Sequence, residues 1–162
     1  MSVVILSLGS NIANKSENIN AMQNALEKLS ETKIISSPLY ESEAVDVSEP
    51  QENYYNKIIR METNKTPKSI LEITKKIEKK LGRKNKGQKL ARTADIDILL
   101  FDDEIINEKE LVIPHPRMFF RRFAMEGVKS VAPDLTNPFT KKLFAYYDIS
   151  KEILPQNIKI IG

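Results

Sequence analysis

At 162 residues, 41% hydrophobic and 29% charged, with a formal net charge of +3, the chain has the size and composition of one soluble globular domain with a real core. The absence of cysteine excludes a disulfide framework and a cysteine-based zinc site, and a single histidine, His115, excludes a multi-histidine metal centre. No run approaches the ~20 apolar residues of a membrane span, and Val3 to Leu8 is too short for a signal-peptide core and lacks a basic leader, so an unprocessed cytoplasmic protein that does not engage membranes is expected.

Val3-Val4-Ile5-Leu6-Ser7-Leu8 reads as a buried strand closed by the turn residues Gly9-Ser10-Asn11. Ile19, Met22, Leu26 and Leu29 then recur at helical spacing, which predicts an amphipathic helix over 16–30. Ile34 to Tyr40 reads as a second strand, with Pro38 marking an edge or bulge. An acidic loop over 41–53 follows, and Tyr54 to Met61 has the aromatic and β-branched content of a third strand. The next helix is sharply delimited. Thr66 is its N-cap, Pro67 its first residue, Ile70, Leu71, Thr74, Ile77 and Leu81 its apolar face, and Gly82 its stop. A strand from Asp95 to Phe101 turns at Asp102-Asp103 into Glu104 to Ile106, a short hairpin partner. Pro114-His115-Pro116 cannot be helical, residues 117–130 read as a helix, and the tail from Pro133 is less regular. The order β-α-β-β-α-β is that of a ferredoxin-like split βαβ sandwich of the α+β class, with further C-terminal helices. Helices are expected on one face of an antiparallel sheet, leaving strand ends and long loops to build a site on the other. No repeat or linker interrupts residues 1–162, so one domain is expected.

Arg92-Thr93-Ala94-Asp95-Ile96-Asp97 is the stretch richest in chemistry. In a strand Asp95 and Asp97 point the same way, roughly 7 Å apart, while Ile96 and Ile98 face a core. Two carboxylates so placed repel each other, and a divalent cation shared with substrate phosphates, as Mg²⁺ usually is, relieves the repulsion. The same pair also fits a strand entry with solvated acids, because Asp-x-Asp is short and common. Upstream, Lys75 to Arg92 holds nine basic residues against one acid, Glu78, so the rest of the chain carries 16 basic residues against 21 acidic ones. Charge this local, beside a carboxylate pair, suits nucleotide phosphates arriving with their metal. Lys75, Lys76, Lys79 and Lys80 are equally explained as a solvated helix face.

Several segments together, in order and spacing, resemble the 6-hydroxymethyl-7,8-dihydropterin pyrophosphokinases of folate biosynthesis. They are Leu8-Gly9-Ser10-Asn11, Leu39-Tyr40-Glu41-Ser42, Tyr54-Tyr55-Asn56, Ile77-Glu78, Gly82-Arg83, Arg92-Thr93-x-Asp95-x-Asp97-Ile98-Leu99, Ile113-Pro114-His115-Pro116-Arg117-Met118, Arg121 and Phe123. The resemblance spans nearly the whole chain. It implies transfer of the β,γ-pyrophosphoryl group of ATP to the pterin hydroxymethyl oxygen, with release of AMP. It implies that Asp95 and Asp97 hold two Mg²⁺ ions, that Arg83 and Arg92 neutralise the transferring group as catalytic residues, and that Glu78, Ile98, His115 and Arg121 contact the nucleotide. Gly9, Ser42, Ala44, Tyr54, Asn56 and Phe123 are implied around the pterin: aromatic faces sandwich a flat ring and one amide pairs with its edge. Ordinary core packing is the competing account of Tyr54, Phe123 and His115.

The chain departs from the family pattern at Gln88-Lys89-Leu90-Ala91, where a basic residue, a tryptophan and Gly-Pro are usual, and at Ser42-Glu43-Ala44, which replaces a common Thr-Pro-Pro. A family member that binds nucleotide and pterin without catalysis is therefore a second expectation. An RNA-binding ferredoxin-like module is a third, but no RNP-like aromatic segment supports it. ATP and the pterin are the expected partners, with no nucleic acid and a monomeric state.

Overall fold

The structure is a computed structural model describing residues 1–43, 52–82, 94–149 and 158–161. Strand β1, Ser2–Ser10, follows the alternation of its sequence: Val4, Leu6 and Leu8 enter one apolar cluster, and Ile5 enters another on the opposite face. Helix α1, Lys15–Glu27, lays Ile19, Met22 and Leu26 on the first of these. It ends three residues before the expected boundary.

The strand expected over 34–40 is two short pieces, β2 (Ile35–Ser36) and β3 (Tyr40–Ser42), both antiparallel to β4 (Tyr54–Thr63). Pro38 has no N–H to give the ladder. Ser37 bridges the gap with both of its polar groups: its N–H donates to the Ile58 carbonyl at 2.8 Å, and its Oγ accepts the Ile58 N–H at 2.9 Å.

Helix α2, Pro67–Lys80, starts and stops as its sequence dictates. The Thr66 hydroxyl accepts the Ser69 N–H at 3.2 Å, and Gly82 takes the left-handed φ of +95° that few other residues adopt cheaply. Beyond it, β5 (Asp95–Phe101) pairs antiparallel with β1. The sheet runs β5-β1-β4-β3-β8, with β2 also on β4 and β8 (Ile158–Ile160) on β3. This is the ferredoxin-like order, and every pairing in it is antiparallel.

Two expectations need correction. The segment after Asp102-Asp103 does not return to β5: β6 (Ile106–Asn107) pairs with β7 (Val112–Ile113) in a separate two-stranded sheet. The turn is instead tied back to β1, where the Val3 N–H donates to Asp102 Oδ1 at 2.7 Å and the Asp102 N–H to the Val3 carbonyl at 2.8 Å. The helix expected over 117–130 is broken at Arg121, whose extended backbone separates a 3₁₀ turn, Met118–Phe120, from α3, Arg122–Val131. The two helices of the split βαβ unit keep to one face, as expected, and the extra C-terminal helix takes the other. α1 and α2 share the cluster of Leu6, Ile59 and Ile96, whereas α3 buries Phe123, Ala124, Val128 and Val131 with Ile5, Ile58 and Leu100 on the other. Among the described residues no helix is long and apolar enough to cross a membrane.

One contact ties α3 to the sheet at its far end. The Arg60 guanidinium donates to the Val131 carbonyl at 3.2 Å and forks onto both oxygens of Asp134. The hydrogen bond from Arg60 holds the Asp134 carboxyl below its ordinary value. A depressed folded-state value means that the pair stabilises above the usual carboxylate range and that the stabilisation is lost as pH falls through the folded value. Asp134→Asn should therefore lower stability at pH 7 by about 1 kcal/mol or less, the acid being largely exposed. In paired urea melts at pH 7 and pH 3 the gap between variant and parent should shrink at the lower pH; a constant gap would contradict the ion pair.

Candidate active site

Strand register assembles the site. Gly9 stands opposite Asp95 on one side and Asn56 on the other, and Asn56 stands opposite Tyr40, so one row crosses four strands. In the neighbouring row Ser7 pairs with Asp97. Asp95 and Asp97 are both half-buried on one face of β5, while Ile96 and Ile98 are buried with α1 and α2 on the other. The centre of the row has to be glycine, because a Cβ at Gly9 would lie 2.9 Å from Asn56 Oδ1. The Asn56 amide is in turn fixed: its Nδ2 donates to Ser42 Oγ at 2.9 Å, both residues being buried. Tyr54, one alternation along β4, is half-buried beside them.

The third side comes from the segment after β7. The His115 N–H donates to the Leu99 carbonyl at 2.9 Å, which pins Pro114-His115-Pro116 against β5. The imidazole Nδ1 accepts the Arg117 N–H at 3.1 Å, so in the neutral ring the proton sits on Nε2. That nitrogen faces Asp97 Oδ1 at 3.8 Å, and Arg121 approaches Asp97 Oδ2 at 3.9 Å. Both distances exceed a hydrogen bond. Burial pushes the His115 imidazole below its ordinary value; Asp97 opposes the shift, Arg121 and Arg117 reinforce it, and Asp95 opposes it. The ring is thus neutral near pH 7, with one N–H aimed at the carboxylates. Arg121 points here because the chain is extended at that residue, and Phe123 follows it, buried in the first turn of α3.

Two carboxylates on one face, with an imidazole N–H and a guanidinium opposite, suit an anion that arrives with a cation. Hard oxygen donors, two in number and part-exposed, fit Mg²⁺, which takes one or two carboxylates and completes its shell with phosphate and water. Among the described residues no group of three or more acids or histidines forms a closed cage.

The other expected site residues divide into two groups. Glu78 and Ile98 are not brought together with the carboxylates. Ile98 is buried toward α1 and α2, and Glu78, 3% exposed on α2, accepts the Ile96 N–H at 2.8 Å from beside the outermost strand. Arg83, Arg92 and Ala44 lie outside the described residues. Ser7 and Tyr40, not among the expected site residues, stand in or beside the same rows. Ser7 and Gly9 interrupt the apolar run of β1 at a period of two, which places both on the face of the carboxylates.

A family model described as 7,8-dihydro-6-hydroxymethylpterin-pyrophosphokinase (HPPK) matches residues 5–133. The chain belongs to this family. It is 36% identical over 159 residues to the 2-amino-4-hydroxy-6-hydroxymethyldihydropteridine pyrophosphokinase of Aquifex aeolicus, covering 97% of this chain and 93% of that protein. To the enzyme of the same name from Pseudomonas aeruginosa it is 35% identical over 136 residues, 83% of each. Among solved structures, wild-type Plasmodium falciparum HPPK-DHPS superposes with a TM-score of 0.66 at 17% identity, over 90% of this chain and 42% of that one. That likeness bears on the fold: the ferredoxin-like core recurs inside a longer fused chain.

Glu78 has a measurable role at the edge of this HPPK sheet. Glu78→Ala should cost about 1–3 kcal/mol, the range for removing the partner of a buried donor, and should speed amide exchange at Ile96. Glu78→Gln keeps a carbonyl acceptor and should lose less. Equal exchange at Ile96 in all three proteins would show that the carboxylate does not hold the strand.

Proposed function

We propose that the chain transfers the β,γ-pyrophosphoryl group of ATP to the hydroxymethyl oxygen of 6-hydroxymethyl-7,8-dihydropterin, releasing AMP, through the row of residues that joins Asp95 to Asn56. The observation that carries the residue assignment is the meeting of Asp95, Asp97, His115 and Arg121 on one face of β5 in a chain of this family. Activity as an ATP-dependent pyrophosphokinase of folate biosynthesis follows from that membership.

In this reading the pterin hydroxyl oxygen attacks Pβ, the bond from Pβ to the oxygen bridging Pα breaks, AMP leaves with that oxygen, and the hydroxyl proton passes to solvent. Such a transfer needs alignment and neutralisation of charge more than a covalent catalyst. Asp95 and Asp97 would hold two Mg²⁺ ions, which when bound would screen the triphosphate charge. His115 donates its Nε2 proton to a phosphate oxygen, and Arg121 brings a fixed positive charge to the same group. Arg83 and Arg92 supply further positive charge at the transferring phosphates, by their match to the family pattern. Asn56 and Ser42 read the polar edge of the pterin, Tyr54 and Phe123 contact its faces, Gly9 leaves room for it, and Ala44 completes its rim. Glu78 and Ile98 serve the nucleotide by shaping the outer strand it lies along.

The working unit in this reading is a monomer. Dependence on ATP supports a cytoplasmic setting. Neither an RNA-binding module nor a non-catalytic binder is favoured.

The test is a product assay with ATP, Mg²⁺ and the pterin, following AMP against ADP with a pterin-free control. Pterin-dependent AMP is expected. ADP instead of AMP would mean transfer of a single phosphoryl group, and no nucleotide product from folded protein would remove the catalytic reading. Asp97→Asn, which turns one anionic ligand into a neutral amide, should fold normally and lose turnover by about 100-fold or more; near-parental turnover would remove the metal assignment.

A further inference from the structure

The packing of α3 on β4 carries an inference about residues remote from the reacting groups. Tyr54, Asn56, Ile58 and Arg60 alternate onto one face of β4, and Phe123, Gly127 and Val131 form one stripe of α3 at a spacing of four. Two of the pairings between these stripes are fixed by contacts. Gly127 lies directly on Ile58: a Cβ at 127 would stand 2.1 Å from Ile58 Cγ1 and 2.6 Å from Ile58 Cβ. One step further on, Arg60 donates to the Val131 carbonyl at 3.2 Å and grips Asp134. Four helical residues rise about 6 Å, and two strand residues advance about 7 Å, so the two stripes keep step. Continued one step in the opposite direction, the same stagger would bring Phe123 to the level of Asn56.

Neither partner at the central contact yields easily. Ile58 is fully buried, and its backbone N–H and carbonyl are both held by Ser37. A side chain at 127 therefore displaces the helix rather than the strand, by more than about an ångström if carbon atoms are to reach ordinary contact.

We infer that α3 is keyed to β4 by Gly127 on Ile58 and by Arg60 on the Val131 carbonyl, and that this keying sets where the Phe123 ring stands relative to Tyr54 and Asn56, and so the space in which the pterin ring is held. Gly127 and Arg60 are then positioning residues for the pterin, acting through Phe123. The inference rests on the pterin assignment proposed above. Arg121 lies outside the helix on extended backbone, and its long side chain absorbs a shift that a stacked ring does not.

The experiment compares Gly127→Ala, Arg60→Gln and Phe123→Ala with the parent protein, each checked by circular dichroism and melting. Equilibrium affinity for 6-hydroxymethyl-7,8-dihydropterin is measured in parallel with affinity for Mg²⁺-ATP. Gly127→Ala should weaken pterin binding about tenfold or more, and Arg60→Gln severalfold, with nucleotide affinity much less affected in both. A merely structural role would lower the melting temperature without this split. A folded Gly127→Ala protein that binds pterin as the parent does overturns the inference. Should that variant not fold, Arg60→Gln decides, and unchanged pterin affinity there overturns it equally. Parental pterin binding by Phe123→Ala would instead remove the pterin assignment itself, and this inference with it, whereas loss in Phe123→Ala alone leaves the assignment standing without the keying.

Discussion

The register of β1 between β4 and β5 is the constraint on which the whole site depends. A slip of one residue turns every side chain of a strand to the opposite face, so the apolar set that fixes the register also decides which polar groups meet. Val4, Leu6 and Leu8 lie in one cluster with Ile59, Met61, Ile96 and Ile98. Full burial of each such aliphatic is worth about 1.5–3 kcal/mol. Slipping the register would put those side chains on the wrong face and separate Asp95 and Asp97 from Gly9 and Ser7. The geometry of the site is thus enforced by the apolar core beneath it. Gly9 adds a second condition, since only a residue without a Cβ leaves Asn56 Oδ1 where it is.

A break in the alternation of β5 lets one strand serve both the site and the core. The pairing with β1 shifts between Ile5 and Leu6, so that Leu99 is the extra residue and Leu99 and Leu100 both join the cluster beneath α3. N-terminal to the bulge the α3-facing positions are acids, and C-terminal to it they are apolar. The Leu99 carbonyl then accepts the His115 N–H. The irregularity that ends the polar part of the strand is also where the segment carrying the imidazole attaches. Glu78 steadies the same strand from the other side at Ile96, between the two acids.

Local signals explain which parts were legible in the sequence. The bounds of β5 and the capped ends of α2 were readable because Asp-Ile-Asp alternation, Thr66-Pro67 and Gly82 act within a few residues of themselves. Pro38 correctly marked a break, although the part played by Ser37 depends on Ile58, distant in sequence. Arg121 was not readable as a break: apolar residues on both sides keep a helical spacing through it, although the backbone there is extended. Nor did periodicity show which face α3 would cover. For Glu78, likeness of pattern pointed to the nucleotide, and only the fold reveals that its buried carboxylate also accepts the Ile96 N–H. Arg83, Arg92 and Ala44 lie in segments whose geometry is not described, so their roles rest on pattern alone.

The balance of charge around Asp97 is consistent with the proposed chemistry at the level of individual groups. A protonated imidazole 3.8 Å away would pair with this carboxylate and compete with any cation for its oxygens. Burial instead keeps His115 neutral, and in the proposed reading its Nε2 proton is offered to an incoming phosphate oxygen. Arg121 stops at 3.9 Å, beyond hydrogen-bonding distance of Asp97 Oδ2. In the proposed reading the metal and the triphosphate enter between these groups: the carboxylates face the cations, and the imidazole and guanidinium face the phosphate oxygens. One face of one strand then neutralises both signs of charge, which suits a transfer whose barrier is chiefly electrostatic.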